Sequence, residues 1–402
     1  LAGDPLALLL AKAGKADPYP VYDRLRQQPL WRSPLGAWLT GRHPTASSVL
    51  RDRRFSSSPR HRPGYAPPSY APGDPRRELA EADLLSLDPP DHTRLRRLVS
   101  SAFSPYRVAE LQPFIAQMLD RLLAPLDPAG SFDLIDAVAF PLPIAVICHL
   151  LGVPPDDQAR FRAWGHDIAA TLDPEISAEG RTRAAELALT AYLRDLVESR
   201  RASPDGSLLS ALIAVEDGGD RLSSAELIST ALLLLVAGFE TTVNLIGNGT
   251  VALLRQDGAW RRLSEEPALV PGAVEELLRY DSPVQMTSRV ATEDLELEGQ
   301  TLNKGDTVLV AIGGANRDPE VFERPHHLLI DRPDASRHLA FSLGLHHCLG
   351  AALARLEGRL VFEELTRRYP DLVLSQAPSR RPLMVLRGFE HVPVARGHHH
   401  GK

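Results

Sequence analysis

Cysteine is scarce: Cys148 and Cys348 are the two that 402 residues hold. That excludes a disulfide framework, makes the reducing cytoplasm the expected compartment, and leaves Cys348 to act, if it acts, as a free thiol. Lysine is nearly as rare, four against 41 arginines, a bias that fits a GC-rich bacterial coding sequence and implies no mechanism. Basic residues do not exceed acidic ones, 45 against 51 for a net charge of −6, so the chain has no footprint for nucleic acid. No stretch reads as a membrane span. The most apolar segment, Ala137 to Leu151, carries Pro141, Pro143 and His149, falls short of the ~20 residues a bilayer requires, and reads as a buried helix. Leu6 to Leu10 is too short for a secretory core. With 44% hydrophobic and 24% charged residues the chain is not disordered and can bury a large core.

Helical periodicity dominates from about Asp91 to Tyr280, and short alternating segments cluster near both ends and after Ser282, so the fold class is mostly α with a minor β region. No internal repeat or interdomain linker is visible; residues 1–396 are expected to form one domain, and 397–402, with His398, His399 and His400, resemble a tag remnant. Six prolines between Pro59 and Pro75 forbid a helix and predict a long surface loop, either a connector or a binding lid carrying Tyr65 and Tyr70. Behind Pro89 and Pro90, Asp91 is the expected N-cap of a helix with Leu95, Leu98, Val99 and Ala102 on one face. His92 and Arg96 lie one turn apart on it. From His92 to Ala109 there are four arginines, 94, 96, 97 and 107, and no acid: a solvated face or a docking patch.

Ser223 and Glu226 have capping-box spacing, and the helical pattern behind them runs to Arg255, roughly 48 Å at 1.5 Å per residue. Its middle is apolar from Ala231 to Phe239 and is then interrupted by Gly238, Glu240, Thr241 and Thr242. A carboxylate there needs a reason. One reading is a kink with Thr241 bonded to a carbonyl one turn back. Glu276 and Arg279, three apart, share a face of the next helix. Arg289 stands where the following strands begin.

The most informative segment is Phe341-Ser342-Leu343-Gly344-Leu345-His346-His347-Cys348-Leu349-Gly350, followed by an amphipathic helix from about Ala351 to Arg368. A cysteine at a helix N-terminus is favoured as thiolate, and Gly344 and Gly350 admit close approach by something flat and large. Iron in a haem fits those demands. An inert buried cysteine, and a zinc site assembled from His346, His347 and Cys348, are the alternatives at this point.

This loop resembles the haem-binding segment of the cytochrome P450 family, in its soluble bacterial class. Four further segments match the family in its order: Asp88-Pro89-Pro90-Asp91-His92-Thr93-Arg94-Leu95-Arg96, Ala237-Gly238-Phe239-Glu240-Thr241-Thr242, Glu276-Leu277-Leu278-Arg279, and Ala315-Asn316-Arg317-Asp318-Pro319. The resemblance implies the P450 fold, a haem b with Cys348 as axial ligand whose electron donation favours O–O cleavage, Phe341 beside the sulfur, and Gly350 against the ring. It implies that His92, Arg96, Arg289 and His346 hold the propionates, that Glu240 and Thr241 deliver protons during oxygen activation, and that Glu276 and Arg279 form a structural pair.

Further implications concern substrate and partners. Leu84, Ala237, Val284, Met286 and Phe389 match pocket-lining positions and are apolar. They suggest a hydrophobic guest, hydroxylated or epoxidised by a monooxygenase in secondary metabolism or antibiotic biosynthesis, with a polyketide or macrolide as the leading class. Electrons would come from a separate ferredoxin and ferredoxin reductase, with NAD(P)H used indirectly, and the arginines between His92 and Ala109 are candidates for docking. Two positions depart from the pattern. Ser342 replaces the usual glycine, and His327 stands where an arginine often joins Glu276 and Arg279, leaving Arg324 or Arg332 as the third partner. A peroxygenase or an O2-independent haem-thiolate enzyme is the first rival. A non-catalytic scaffold or haem carrier is the second, and the presence of Cys348, Glu240 and Thr241 argues against it.

Overall fold

The computed structural model describes all residues except 1–2, 67–68, 71–73, 75, 128–129, 170–178, 218 and 398–402. Most of the expected tag remnant, and part of the proline-rich loop, therefore lie outside the described residues. Before that part of the loop comes one 3-10 turn, Pro59–His61, capped by Ser58, and Tyr70 lies under the Arg76 guanidinium, 5.5 Å from its ring centre.

Helices carry most of the chain, and four of them position the site. The first, α1, spans Asp91–Ala102. Pro90, not Asp91, occupies its cap position, because Pro90 already has helical torsions; Asp91 begins the helix, where its charge still complements the dipole. The second, α2, is Ser224–Arg255, with the full capping box of Ser223 and Glu226 and twenty buried residues, which makes it the axis of the largest core. It is continuous through Gly238 to Thr242: the Thr241 and Thr242 hydroxyls donate to the Ala237 and Gly238 carbonyls at 2.9 and 3.1 Å, absorbing the polarity without breaking the backbone ladder. Among the described residues this helix is the one long and apolar enough to cross a membrane, yet 72% of its apolar window is inside the fold, as expected of a core helix. The segment Pro141–Leu151 is likewise a buried helix.

The third helix, α3, is Val270–Tyr280, and the fourth, α4, is Ala351–Arg368, directly behind the cysteine loop. Helix α2 packs on α4 through small residues: a Cβ on Gly249 would meet Phe362 at 2.6 Å, and one on Gly358 would meet Leu245 at 3.1 Å. The largest part of the β region is a mixed five-stranded sheet in the order Trp31–Arg32, Ala37–Thr40, Thr307–Ala311, Met286–Ala291, Phe55–Ser56, with a three-stranded sheet and three hairpin pairs beside it among the described residues. Its one parallel pairing joins Ala37–Thr40 to Thr307–Ala311. This sheet and the helices near it bury two satellite cores.

The pair on α3 is a network of three. Glu276 and Arg279 are wholly buried and bonded twice, at 2.6 and 2.8 Å. Arg332 is the third partner, its Nε 2.9 Å from Glu276 Oε2, while Arg324 points outward and offers only its carbonyl to Arg332. The His327 carbonyl accepts from both Arg279 and Arg332, so backbone at position 327 supplies contacts and a side-chain cation there is dispensable. Removing one partner of a buried, fully bonded ion network costs about 3–5 kcal/mol. Arg279→Gln and Arg332→Gln should each destabilise by that order in urea unfolding, and Arg324→Gln by less than about 0.5 kcal/mol.

Candidate haem-thiolate site

The cysteine loop is held in place by its own backbone and by the buried Asn316 side chain. The Cys348 N–H donates to the Phe341 carbonyl at 2.8 Å, and Leu339 N–H donates to Asn316 Oδ1 at 2.6 Å. Gly344 has φ +70°, and a Cβ there would fall 2.4 Å from the Leu50 carbonyl, so only glycine lets the loop seat on helix His43–Arg51. Ser342, also left-handed at φ +59°, has no such excuse and carries the strain of a side chain in that region. The Cys348 side chain is open to water-sized molecules, yet burial pushes its thiol up against the lowering effect of the Gly350 N–H, Arg96 and Arg355. The thiol is thus reachable from outside yet poorly hydrated as an anion. A Cβ on Gly350 would meet nothing nearer than that sulfur at 4.0 Å.

Beside the sulfur the structure gathers basic groups. His92 on α1 is buried, and neither ring nitrogen has a partner among the described residues; its ring lies 4.3 Å from that of His346. His346 Nε2 is 2.6 Å from Ser57 Oγ. Burial, with the nearby His92 and Arg289, pushes His346 down to about 3, and burial with Arg96 lowers His92. Arg289, buried in strand Met286–Ala291, is pushed down to about 10 by desolvation, and among the described residues it bonds to Thr287 Oγ1 and Ser288 O. Arg96 donates to the His347 carbonyl at 2.6 Å. The acid among them, Asp88, is already engaged by Ser56 and His61. Two arginines set beside two imidazoles whose protonation burial opposes, one of them buried and unbonded, make a site for an anionic guest. A flat group bearing two carboxylates and a thiolate-seeking metal, as haem does, fits these residues.

On α2, Glu240 is fully buried, with Oε1 2.5 Å from Arg381 Nη1 and 3.5 Å from Asn244 Nδ2; Oε2 has no partner among the described residues. Glu240 and Thr241 are not bonded to each other, since the Thr241 hydroxyl turns to Ala237. Arg381 also donates to Asn244 Oδ1 at 3.0 Å. Gly388 is required opposite, where a Cβ would overlap Asn244 Oδ1 at 1.8 Å.

The cytochrome P450 family model matches residues 176–384. The 6-deoxyerythronolide B hydroxylase of Saccharopolyspora erythraea is 43% identical over 89% of this chain and 90% of its own, and the polyketide biosynthesis cytochrome P450 PksS of Bacillus subtilis 37% over 94% and 96%. The ligand-free crystal structure of Mycobacterium smegmatis CYP164A2 superposes with a TM-score of 0.88 at 40% identity, covering 97% of this chain and 99% of that one. The chain belongs to the cytochrome P450 family. It is a P450 monooxygenase, an oxidoreductase of the EC 1.14 type, with the P450 fold.

Not every residue expected around this P450's pocket is brought to it. Met286 is buried in the satellite core with Tyr22 and Leu39, on the face of its strand opposite Arg289; strand alternation puts Thr287 with Arg289 instead, and the bond between them agrees. Phe389 packs against Gly247 and under Arg380, whose guanidinium is 3.9 Å from the ring centre, about 15 Å along α2 from Ala237 by helical rise. Leu84 is buried in the main core, Ala237 is half-buried on α2, and Val284 bridges to Leu386. The arginine patch is partly spent: Arg94 pairs with Asp220 and Glu226 and Arg96 turns inward, while Tyr106 and Arg107 stay at or near the surface. Reading the motifs missed Arg381, Asn244 and Glu357. The last is a buried acid on α4 raised to about 8 by desolvation, and its place on a helix face is the one signal the sequence offered.

Two outcomes follow from this geometry. Arg289→Gln and His92→Gln should each speed haem transfer to apomyoglobin by about 10- to 100-fold, the worth of one charge-assisted hydrogen bond. Ser342→Gly should stabilise the protein by roughly 1 kcal/mol in thermal unfolding, by relieving the left-handed serine.

Proposed function

We propose that this P450 hydroxylates or epoxidises a hydrophobic small molecule of bacterial secondary metabolism, of polyketide or macrolide type, using O2 and two electrons from a separate ferredoxin and its reductase. The observation that carries the reading is the gathering of His92, Arg96, Arg289 and His346 around the Cys348 loop, with His92 unbonded in the interior. In this reading the chain forms one domain over 1–396 and works in the cytoplasm. Haem b, when bound, supplies the oxygen-activating chemistry. Cys348 holds its iron, with Phe341 and Gly350 packed around the ligand. The four basic residues take its two carboxylates.

Proton handling falls to α2. Arg381 retains Glu240 Oε1, so Oε2 is the oxygen that carries and passes a proton, and the Thr241 hydroxyl relays it by leaving the Ala237 carbonyl. The polyketide assignment rests on relatives named for polyketide biosynthesis and for hydroxylating 6-deoxyerythronolide B, together with the apolar lining. Arg107 and its exposed neighbour Tyr106 are the parts of the basic segment best placed to meet an acidic redox protein.

The test is spectroscopic first. The purified protein, reduced under carbon monoxide, should show the long-wavelength band of thiolate-ligated haem, and Cys348→Ala should abolish it. Thr241→Ala should then cut turnover with O2 by about 10²-fold or more, the usual worth of a positioned proton donor, while sparing turnover with peroxide. Little loss in either would favour a peroxygenase, equal loss in both would make Thr241 structural rather than a proton relay, and a missing band would remove the monooxygenase reading.

A further inference from the structure

Next to the structural pair on α3, and facing other partners, Glu275 is held by donors from two directions. Arg355 on α4 grips it with Nε at 2.6 Å and Nη2 at 2.9 Å. His338 Nε2 lies 3.2 Å from Oε2, the oxygen that also accepts from Arg355 Nη2. The His338 tautomer is set by its second nitrogen, because Nδ1 accepts the Ala340 N–H at 3.1 Å and Nε2 therefore carries the hydrogen that Glu275 accepts. Burial pushes the Glu275 carboxyl up, but His338 and Arg355 outweigh it and hold it at about 2. The carboxylate is thus an anion at any pH where the protein works.

Its position matters because of what Arg355 covers. The guanidinium carbon stands 4.5 Å from the centre of the Phe341 ring, and the His338 ring is 5.6 Å from the same ring. Phe341 in turn gives its carbonyl to the Cys348 N–H. The positive end of the Glu275–Arg355 pair therefore lies toward the sulfur, and Arg355 lowers the Cys348 thiol against its burial.

We propose that Glu275 and Arg355 are positioning residues forming a charge lever, in which the cation over Phe341 favours, and the anion behind it opposes, reduction of the iron held by Cys348. This rests on the haem-thiolate reading above. The couple is one electron, iron(III) to iron(II), supplied in the cell by an iron–sulfur protein and in the test by dithionite. Reduction adds negative charge at the site, so a lone cation there stabilises the reduced form and a lone anion destabilises it. The Arg355 side chain is 39% exposed, so water screens each charge and the effect is a few-fold rather than decades.

The experiment is spectroelectrochemistry of the haem-loaded protein and its variants without substrate. Glu275→Gln leaves the cation unopposed and should raise the reduction equilibrium constant about threefold; Arg355→Gln leaves the anion and should lower it about threefold, each near 28 mV for a one-electron couple. The double variant should return close to the wild-type value, and Arg355→Lys should stay near it. A merely structural clamp would loosen the loop in both single variants and move both potentials the same way. Same-signed shifts, or none, with the thiolate carbonyl band intact overturn the lever. Absence of that band in the unmodified protein would instead overturn the haem-thiolate reading.

Discussion

A carboxylate taken out of water must be met by cations and donors, or it unfolds its surroundings; at Glu276 that requirement organises the route into the site. The acid accepts from Arg279, from Arg332 and from the Leu329 N–H. Arg279 spends its remaining donors on the carbonyls of Asn316, Pro325 and His327. One buried charge thereby ties an irregular stretch of chain, which has little secondary structure of its own, to a helix of the core. The stretch ends at Leu339, whose N–H is fixed on Asn316, two residues before Phe341. The cysteine loop is as rigid as that anchor makes it.

A second constraint runs the other way, since the basic groups around His346 are a cost to the protein alone. Among the described residues His92 lacks a bond, Arg289 is desolvated, and Asp88 is the acid that favours the charge of His92, Arg289 and His346. Folds retain such arrangements where a ligand repays them. The Glu276 network anchors the chain leading into the loop that carries His346, and a dicarboxylate guest would offset the desolvation of the basic groups around it. Stability of the protein and affinity for its cofactor are therefore linked through the same few residues.

How much of this was legible in the sequence depends on distance along the chain. The Ser223 and Glu226 cap was readable to the residue because its contacts span three positions. So was the Thr241 bond to a carbonyl one turn back. The loop motif announced Cys348, and five ordered segments announced the family and fold. What failed was decided by tertiary structure. Nothing local distinguishes Arg332 from Arg324, and a strand's period of two shows which residues share a face but not that Met286 enters a satellite core while Thr287 joins Arg289. Arg94 reads as a free cation until Asp220 and Glu226 arrive from over a hundred residues away.

The contact between Glu240 and Arg381 has a consequence for how the protein is made. The two residues lie 141 positions apart, and the hairpin that carries Arg381 into place closes through Gly388 and strand Phe389–His391. Cys348 and its whole helix leave the ribosome before that hairpin does. At a synthesis rate of about 5–20 residues per second, a nascent chain spends some seconds with its cysteine loop complete and its buried acid without a counter-ion.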